Sequence, residues 1–335
     1  MPGLPRVYRE AAASYGYVLL WMTVSATVIL FNKWLLAFSG FPFPISLTLW
    51  HMTFCSAVGF AFVRVLGVVP SHGLSAVEYC RRVMPIGALY AGSLWLSNTA
   101  YLHLSVSFVQ MTKSLMPALV FAAGTVLGTE RFSWPVAGNM ALIAGGVVVC
   151  GLGEVDLVAT GLLQQLAALL LEAMRLTLVQ VLMTSSGYAM NPLQSLYYVS
   201  PACLACLLLP FLRLELPELL LRLADPELRI SAPVLVANAA AALALNLAVF
   251  LLIGKTSALT MNIAGLVKDW ALVFLSNTLF GAPLTATNMA GYVFCCAGVG
   301  VYNYQKLQVL RKRVASDGGN EDVESGKGRR RVGIK

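Results

Sequence analysis

The sequence predicts an all-α membrane protein of about ten transmembrane helices, built as two inverted five-helix repeats. Three observations carry that expectation. Of 335 residues, 58% are apolar and only 11% are charged, against roughly 25% charged residues in an ordinary soluble domain. Apolar runs long enough to cross a bilayer, about 20 residues each, fill almost the whole chain and leave no room for a separate catalytic domain. A short pattern in the first half returns in the second.

The runs come in order at Tyr15–Leu36, Ile45–Leu66, Val83–Leu102, Val106–Leu127, Val136–Gly151, Leu157–Met183, Pro192–Phe211, Ala232–Ile253, Ser257–Leu279 and Ala286–Gln305. Residues 1–14 precede this membrane domain, which spans 15–307, and 308–335 follow it as a tail rich in Gly, Ser and charge. That composition cannot bury enough apolar surface to order itself, so the tail is expected to be disordered. The few residues before the first run do not resemble a long Arg- and Ser-rich transit peptide, which favours the secretory route with the first span as signal anchor.

Short loops rich in Lys and Arg stay cytosolic. Arg6, Arg9, Arg64, Arg81, Arg82, Arg131, Lys255 and the basic tail fall on one side of the alternating runs. Lys33, Arg213, Arg222 and Arg229 fall on the other, the last three offset by Glu215, Glu218, Asp225 and Glu227. Both termini are therefore expected in the cytosol.

The repeat is specific in its spacing. Ala118-Leu-Val-Phe121 is followed by Gly128 and Asn139-Met-Ala141, and Ala271-Leu-Val-Phe274 by Gly281 and Asn288-Met-Ala290. Five crossings per copy invert the second relative to the first. In proteins built this way a ligand site lies near mid-membrane between the halves, here on the third and fourth spans and the eighth and ninth.

A charged side chain deep in the bilayer costs at least ~2.5 kcal/mol, so each one is a candidate for function. Lys113 lies in the fourth span, Glu172 and Arg175 in the sixth, Lys268 and Asp269 in the ninth. Glu172 and Arg175 are three apart and can face each other, as a structural ion pair or a gate. Lys268 and Asp269 are neighbours, about 100° apart around a helix, and are not expected to pair with each other, so Asp269 joins Glu172 and Arg175 as a candidate gate or ion-pair residue. Lys113 and Lys268, on repeat-related helices, suit a clamp for an anion. Pro117 should bend the helix after Lys113. Ser97, Asn98, Gln110, Thr112, Asn246, Thr260 and Asn262 could hydrogen-bond a polar ligand, and Trp95, Tyr197 and Tyr198 could stack on one, although packing between helices or anchoring at the interface would explain each of them as well.

No cofactor or metal is expected. His51, His72 and His103 are scattered without carboxylates at ligand spacing, and no glycine-rich phosphate loop occurs. The seven cysteines sit in or beside apolar runs and read as small hydrophobes. The formal charge of +8 resides in loops and tails, not on the aromatic-interleaved face a nucleic-acid binder shows. The expected partners are an anionic small molecule and the lipid bilayer; a homodimer is left open.

At Asn32-Lys-Trp34, Val106-Ser-Phe108 through Lys113 and Pro117, Glu172-Ala-Met-Arg175, Tyr197-Tyr-Val-Ser-Pro201 and Thr256-Ser-Ala-Leu-Thr260 with Lys268-Asp269, the chain resembles the triose-phosphate translocator and nucleotide-sugar transporter family of the drug/metabolite transporter superfamily. The resemblance runs from Tyr15 to Leu307 and is nearest the plant and algal group named for its Lys-Asp pair, described as sugar phosphate/phosphate translocators of endomembranes. It implies ten helices in two inverted halves and alternating-access exchange of one anion for another. Plastid members clamp phosphate with lysines that Lys113 and Lys268 match, but Asp269 stands where they have arginine. Their third-helix histidine and threonine and eighth-helix tyrosine fall on Leu94, Ser97 and Leu245, so only the hydroxyl is kept. Fewer cations suit a larger ligand whose affinity is spread over more contacts. The resemblance thus implies a secondary antiporter of the Golgi or another endomembrane, exchanging a nucleotide sugar or sugar phosphate for a nucleoside monophosphate or phosphate. The alternatives are a drug or amine exporter of the same superfamily and, in another class, a membrane-bound transferase.

Overall fold

The computed structural model describes residues 6–70, 73–186, 192–223, 231–253, 258–305 and 308; side chains are placed from residue 15 onward, except at 182–186, 192, 195, 223, 250–251, 253 and 258–263. The expected tail and the loop lysine Lys255 lie outside the described residues, apart from residue 308. Every regular element among them is helical.

The order is α1 (Arg6–Ala37), α2 (Pro44–Phe60), α3 (Ala76–Glu78), α4 (Met84–His103), α5 (Val106–Lys113), α6 (Met116–Val126), α7 (Trp134–Gly153), α8 (Ala159–Ser186), α9 (Pro192–Pro210), α10 (Leu216–Leu223), α11 (Ala232–Ile253) and α12 (Ala258–Phe280). Residues 286–305 form α13. Wider π turns at Ala61–Val65, Tyr79–Val83 and Phe211–Glu215 extend α2, lead into α4 and follow α9.

Local chemistry sets the boundaries. Ser105 starts α5, its hydroxyl accepting from the Phe108 N–H at 3.1 Å, an N-cap bond. α2 has no such cap of its own. Its first N–H groups, at Ile45 and Ser46, donate instead to the Glu215 carboxylate at 2.8 and 2.6 Å. The expected bend after Lys113 is present: α5 and α6 meet at 41°. Pro117 has no N–H and its ring would strike the carbonyl four residues back, that of Lys113. The helix therefore breaks at Ser114 and Leu115, and Lys113 becomes the last residue of α5. Gly128 and Gly281, the glycines of the sequence pattern, follow the ends of α6 and α12 at φ +73° and +65°, a conformation glycine adopts without penalty.

Five described helices are long and apolar enough to cross a membrane: Tyr15–Ala37, Pro44–Val65, Trp134–Gly153, Ala159–Val181 and Ala232–Val249. The bent pair α5–α6 makes a sixth if it is one span. This is fewer than the ten spans expected, although helical residues cover every one of the ten runs. α4 is not among the five; Ser93, Ser97, Asn98 and Thr99 dilute its apolar character. On α7, Leu142, Val148 and Leu152 are exposed along one face, the surface a protein offers to lipid rather than to water. The chain is thus an α-helical, multi-pass membrane protein.

Glycines let the helices approach. α4 lies against α8 and α9: a Cβ on Gly87 would fall 2.5 Å from that of Ala202, and one on Gly92 2.8 Å from Leu171 Cδ1. α7 and α13 approach reciprocally. A Cβ on Gly146 would meet Cys295 Sγ at 2.7 Å, and one on Gly291 would meet the Cys150 N at 2.5 Å. Asn139 donates across to the Gly298 carbonyl at 2.8 Å and Asn288 back to the Cys150 carbonyl at 2.7 Å. The largest apolar cluster joins Leu35, Phe43, Leu104, Phe108, Leu272 and Tyr292, at the end of the bundle where α1, α4 and α12 finish. There α5 packs along α12, whereas α6 turns away to pack on α8 and α7.

Candidate substrate site

The break at Pro117 puts Lys113 at a helix end inside the bundle, where its ammonium donates to Gln110 Oε1 at 3.4 Å. Among the described residues no carboxylate pairs with it directly, while Asp269 on α12 and Glu172 on α8 lie within its electrostatic reach. Lys113 therefore feels two acids contributed by two other helices.

Glu172 and Arg175 do face each other. Arg175 grips the carboxylate with two bonds, Nη2 to Oε1 at 2.5 Å and Nε to Oε2 at 2.8 Å. Ser93 of α4 donates to the same carboxylate at 3.4 Å, and the guanidinium lies 4.6 Å from the Tyr90 ring centre. Sequence spacing anticipated the pair but not its two partners on α4.

The expectation that Lys268 and Asp269 do not pair is corrected: Lys268 Nζ lies 2.9 Å from Asp269 Oδ1. The angle between neighbouring positions is real, but lysine carries its charge on a flexible four-carbon stem that bends back across the helix. The contact is one of charge, because Asp269 Oδ1 makes no hydrogen bond. Trp21 of α1 covers the ammonium from the other side, 5.8 Å from its ring centre. Tyr101 of α4 lies within electrostatic reach of both Lys268 and Asp269.

Ser93, Ser97 and Tyr101 recur every fourth residue and so share one face of α4. Ser93 reaches Glu172 and Tyr101 the Lys268–Asp269 pair, which sets Ser97 between the two ion pairs. Thr112 is buried, accepting from Gln165 Nε2 at 3.2 Å. Gln165 Oε1, which is buried, has no hydrogen-bond partner, and the buried Gln110 amide lies against the Tyr101 hydroxyl of α4. The cluster holds three cations and two carboxylates with two amide side chains beside them, an environment suited to an oxyanion that also carries hydroxyls.

Other expected ligands lie elsewhere. Asn98 belongs to a one-way chain of hydrogen bonds across four helices. His51 donates to Asn238 Oδ1, Asn238 to Asn32 at 3.0 Å, Asn32 to Asn98 at 3.5 Å, Asn98 to Thr48 at 2.9 Å, and Thr48 to the Pro44 carbonyl at 2.7 Å. All five side chains are buried. Asn246 donates to its own helix at the Ala242 carbonyl, 2.9 Å, and faces Cys55. Tyr198 packs with Val83, Ile86 and Ala202, and Trp95 packs beside Ile45 and Met52. Tyr197 meets Arg64, whose Nε donates to its hydroxyl at 2.9 Å. Thr260 and Asn262 stand on α12, their side chains outside those described.

Lys33 has a role its place in the sequence did not reveal. It is buried and donates to the Tyr101 and Leu104 carbonyls at 2.6 and 3.0 Å, closing the C-terminus of α4 with a cation. Beside it a cavity of about 210 Å³ is lined in part by Ser105, Glu154 and Ser276, and by none of the five central charges. Glu154, just beyond α7, accepts from Ser105 at 2.8 Å. Burial pushes its carboxyl above the ordinary range, the Ser105 bond opposing.

Comparison with known proteins agrees with the resemblance read from the motifs. The model of the Triose-phosphate Transporter family matches residues 13–303. Two Arabidopsis thaliana proteins, each named "Probable sugar phosphate/phosphate translocator", are 45% identical over 92% of this chain and 88% of the relative, and 44% identical over 96% and 92%. A GDP-mannose transporter of the same plant is 28% identical over 88% of this chain and 86% of its own. One solved crystal structure aligns at a TM-score of 0.49 and 18% identity, over 84% of this chain and 97% of that one, too loosely to equate individual helices. Matched along nearly its whole helical length, and by relatives that it covers almost completely, the chain belongs to the triose-phosphate transporter family.

Proposed function

We propose that the protein is a secondary antiporter that exchanges a nucleotide sugar or sugar phosphate for a nucleoside monophosphate or phosphate by alternating access, with Lys113 and Lys268 as its anion clamp. The observation that carries this reading is the position of Lys113 at the broken end of α5, with no direct carboxylate partner among the described residues. Broken helices with free polar groups mark substrate sites in transporters. Three cations against two carboxylates leave the cluster net positive, which favours an anion over the cationic drug or amine of the alternative reading.

Ten spans in two inverted halves fit the same picture. The paired glycines Gly128 and Gly281 end α6 and α12 alike, and Asn139 and Asn288 bridge α7 and α13 in both directions. An inverted repeat accounts for both. With the positive-inside orientation both termini are cytosolic, the well-packed end where α5 meets α12 faces the lumen, and the membrane is that of the Golgi or another endomembrane.

The test is exchange in proteoliposomes preloaded with sugar phosphates, nucleoside monophosphates or phosphate, together with thermal stabilisation by each anion. A transported anion should stabilise the wild type by about 2.7 kcal/mol at a hundredfold excess over its dissociation constant. Lys113→Ala and Lys268→Ala should each lose that shift and the exchange while remaining folded. Wild-type affinity in either variant would show that lysine to be structural.

A further inference from the structure

Lys268 carries its own anion. Its ammonium lies 2.9 Å from the Asp269 carboxylate, with only 11% and 24% of the two side chains exposed. Two features show that the contact balances charge rather than builds the fold. Neighbouring residues point about 100° apart on a helix, so the pair forms only by folding the lysine back. The oxygen it touches makes no hydrogen bond, so no directional bond holds it there. Asp269 also reaches Lys113 electrostatically, so one carboxylate serves both lysines of the clamp.

A carrier that reorients must pass through a state in which its site is shut off from water on both sides. An uncompensated cation inside the bilayer costs at least ~2.5 kcal/mol, which is about 60-fold in population at 1.4 kcal/mol per tenfold. A bound anion removes that cost. A site balanced only by its substrate therefore returns loaded and exchanges strictly. Here removal of Asp269 would take the cluster of Lys113, Glu172, Arg175, Lys268 and Asp269 from one excess positive charge to two.

We infer that Asp269 is the built-in counter-ion of the empty site: one excess charge remains, so empty return is slower than exchange, but it is about 60-fold easier than it would be without Asp269, and the protein carries its anion one way as well as in exchange. This rests on the reading of Lys113 and Lys268 as the anion clamp. When substrate arrives it takes Lys268 from Asp269, whose carboxylate keeps Lys113 within reach. The substrate must compete with this internal anion, so the same residue that permits empty return weakens substrate binding.

The experiment uses full-length protein in liposomes loaded with labelled inorganic phosphate or, separately, labelled GMP, with efflux followed into buffer with and without the same anion outside. Wild type should release whichever anion it exchanges into anion-free buffer. Asp269→Asn, which keeps the shape and removes the charge, should raise the ratio of exchange to one-way efflux about 60-fold, and Asp269→Glu should leave that ratio near the wild-type value. An unchanged ratio in Asp269→Asn overturns the inference. So does wild-type protein that exchanges normally but releases nothing into anion-free buffer, a result that needs no variant to fold. Wild type that exchanges none of the anions of the exchange test above, phosphate and GMP included, would instead overturn the antiport reading on which the inference rests, and the inference with it.

Discussion

Replacing Arg175 and Glu172 together should cost less stability than the two single replacements added. In Arg175→Met, Glu172 keeps one hydrogen bond, from the Ser93 hydroxyl at 3.4 Å, and the more distant charge of Lys113. In Glu172→Gln, the guanidinium keeps the Tyr90 ring at 4.6 Å but no carboxylate. Breaking a fully buried pair costs roughly 3–5 kcal/mol, whereas exposed pairs are worth about 0–1 kcal/mol. With 20% and 26% of the two side chains exposed, each single loss is expected near 2 kcal/mol, between those limits. The double variant leaves no orphan charge and loses mainly the pair and the ring contact, again about 2 kcal/mol. The coupling is then about 2 kcal/mol, well outside the ~0.5 kcal/mol within which independent sites add. Unfolding of purified wild type, both singles and the double gives all four corners of the cycle. Losses that sum to the double value would refute the argument. A double variant that regains stability without regaining exchange would assign the pair to substrate as well.

Gly291→Ala should destabilise by about 1–3 kcal/mol, the cost of overpacking, because its Cβ would fall 2.5 Å from the Cys150 N and 2.7 Å from the Gly146 carbonyl. Gly300→Ala on the same helix meets nothing within 4 Å and should gain up to about 1 kcal/mol of helix propensity; thermal melts of the two should shift in opposite directions. Asn238→Ala strips His51 and Asn32 of their shared partner and should cost roughly 2–4 kcal/mol for two half-satisfied buried groups, more than Asn246→Ala, whose bond lies within its own helix. Glu154 has a carboxyl raised by burial above its ordinary value of 4.5. The fold therefore favours its protonated form, and stability should decline as pH rises from 4.5 toward neutrality. Glu154→Gln should flatten that decline in melting temperature.

Much of the fold was legible because membrane helices announce themselves by composition and local rules. The bend after Lys113 followed from a single proline, whereas Gly128 and Gly281, read in the sequence only as part of a repeated pattern, prove to follow helix ends. The Glu172–Arg175 pair was legible because three residues along a helix fix two side chains on one face. What could not be read was anything supplied by another helix. Glu215 caps α2 and Lys33 caps α4 across long stretches of chain, and no local spacing records either. Part of the shortfall in spans has a related reason: α4 is too polar to stand out by hydropathy, since it carries Ser93 toward Glu172 and Asn98 toward the buried chain.

The same distinction separates site from scaffold among the polar residues, which the sequence had grouped together. In a bilayer a buried polar atom without a partner costs several kcal/mol, so its bonding state carries information. Asn98 looked equivalent to Gln110 in the sequence. The structure gives Asn98 both a donor from Asn32 and an acceptor in Thr48. A side chain so engaged cannot turn to a ligand without breaking a chain that ties α1, α2, α4 and α11. Gln110 is as deeply buried, yet its amide meets only Lys113, three residues on in its own helix, and the Tyr101 hydroxyl on the face of α4 toward the charges, and Gln165 Oε1 has no hydrogen-bond partner. Both side chains belong to elements that carry or border Lys113. Unused capacity of this kind is tolerated where a hydroxylated anion can take it up. The neutral ligands of the proposed clamp are therefore to be sought at Gln110, Gln165 and the Ser97 face of α4, and Asn98 in the framework that holds them.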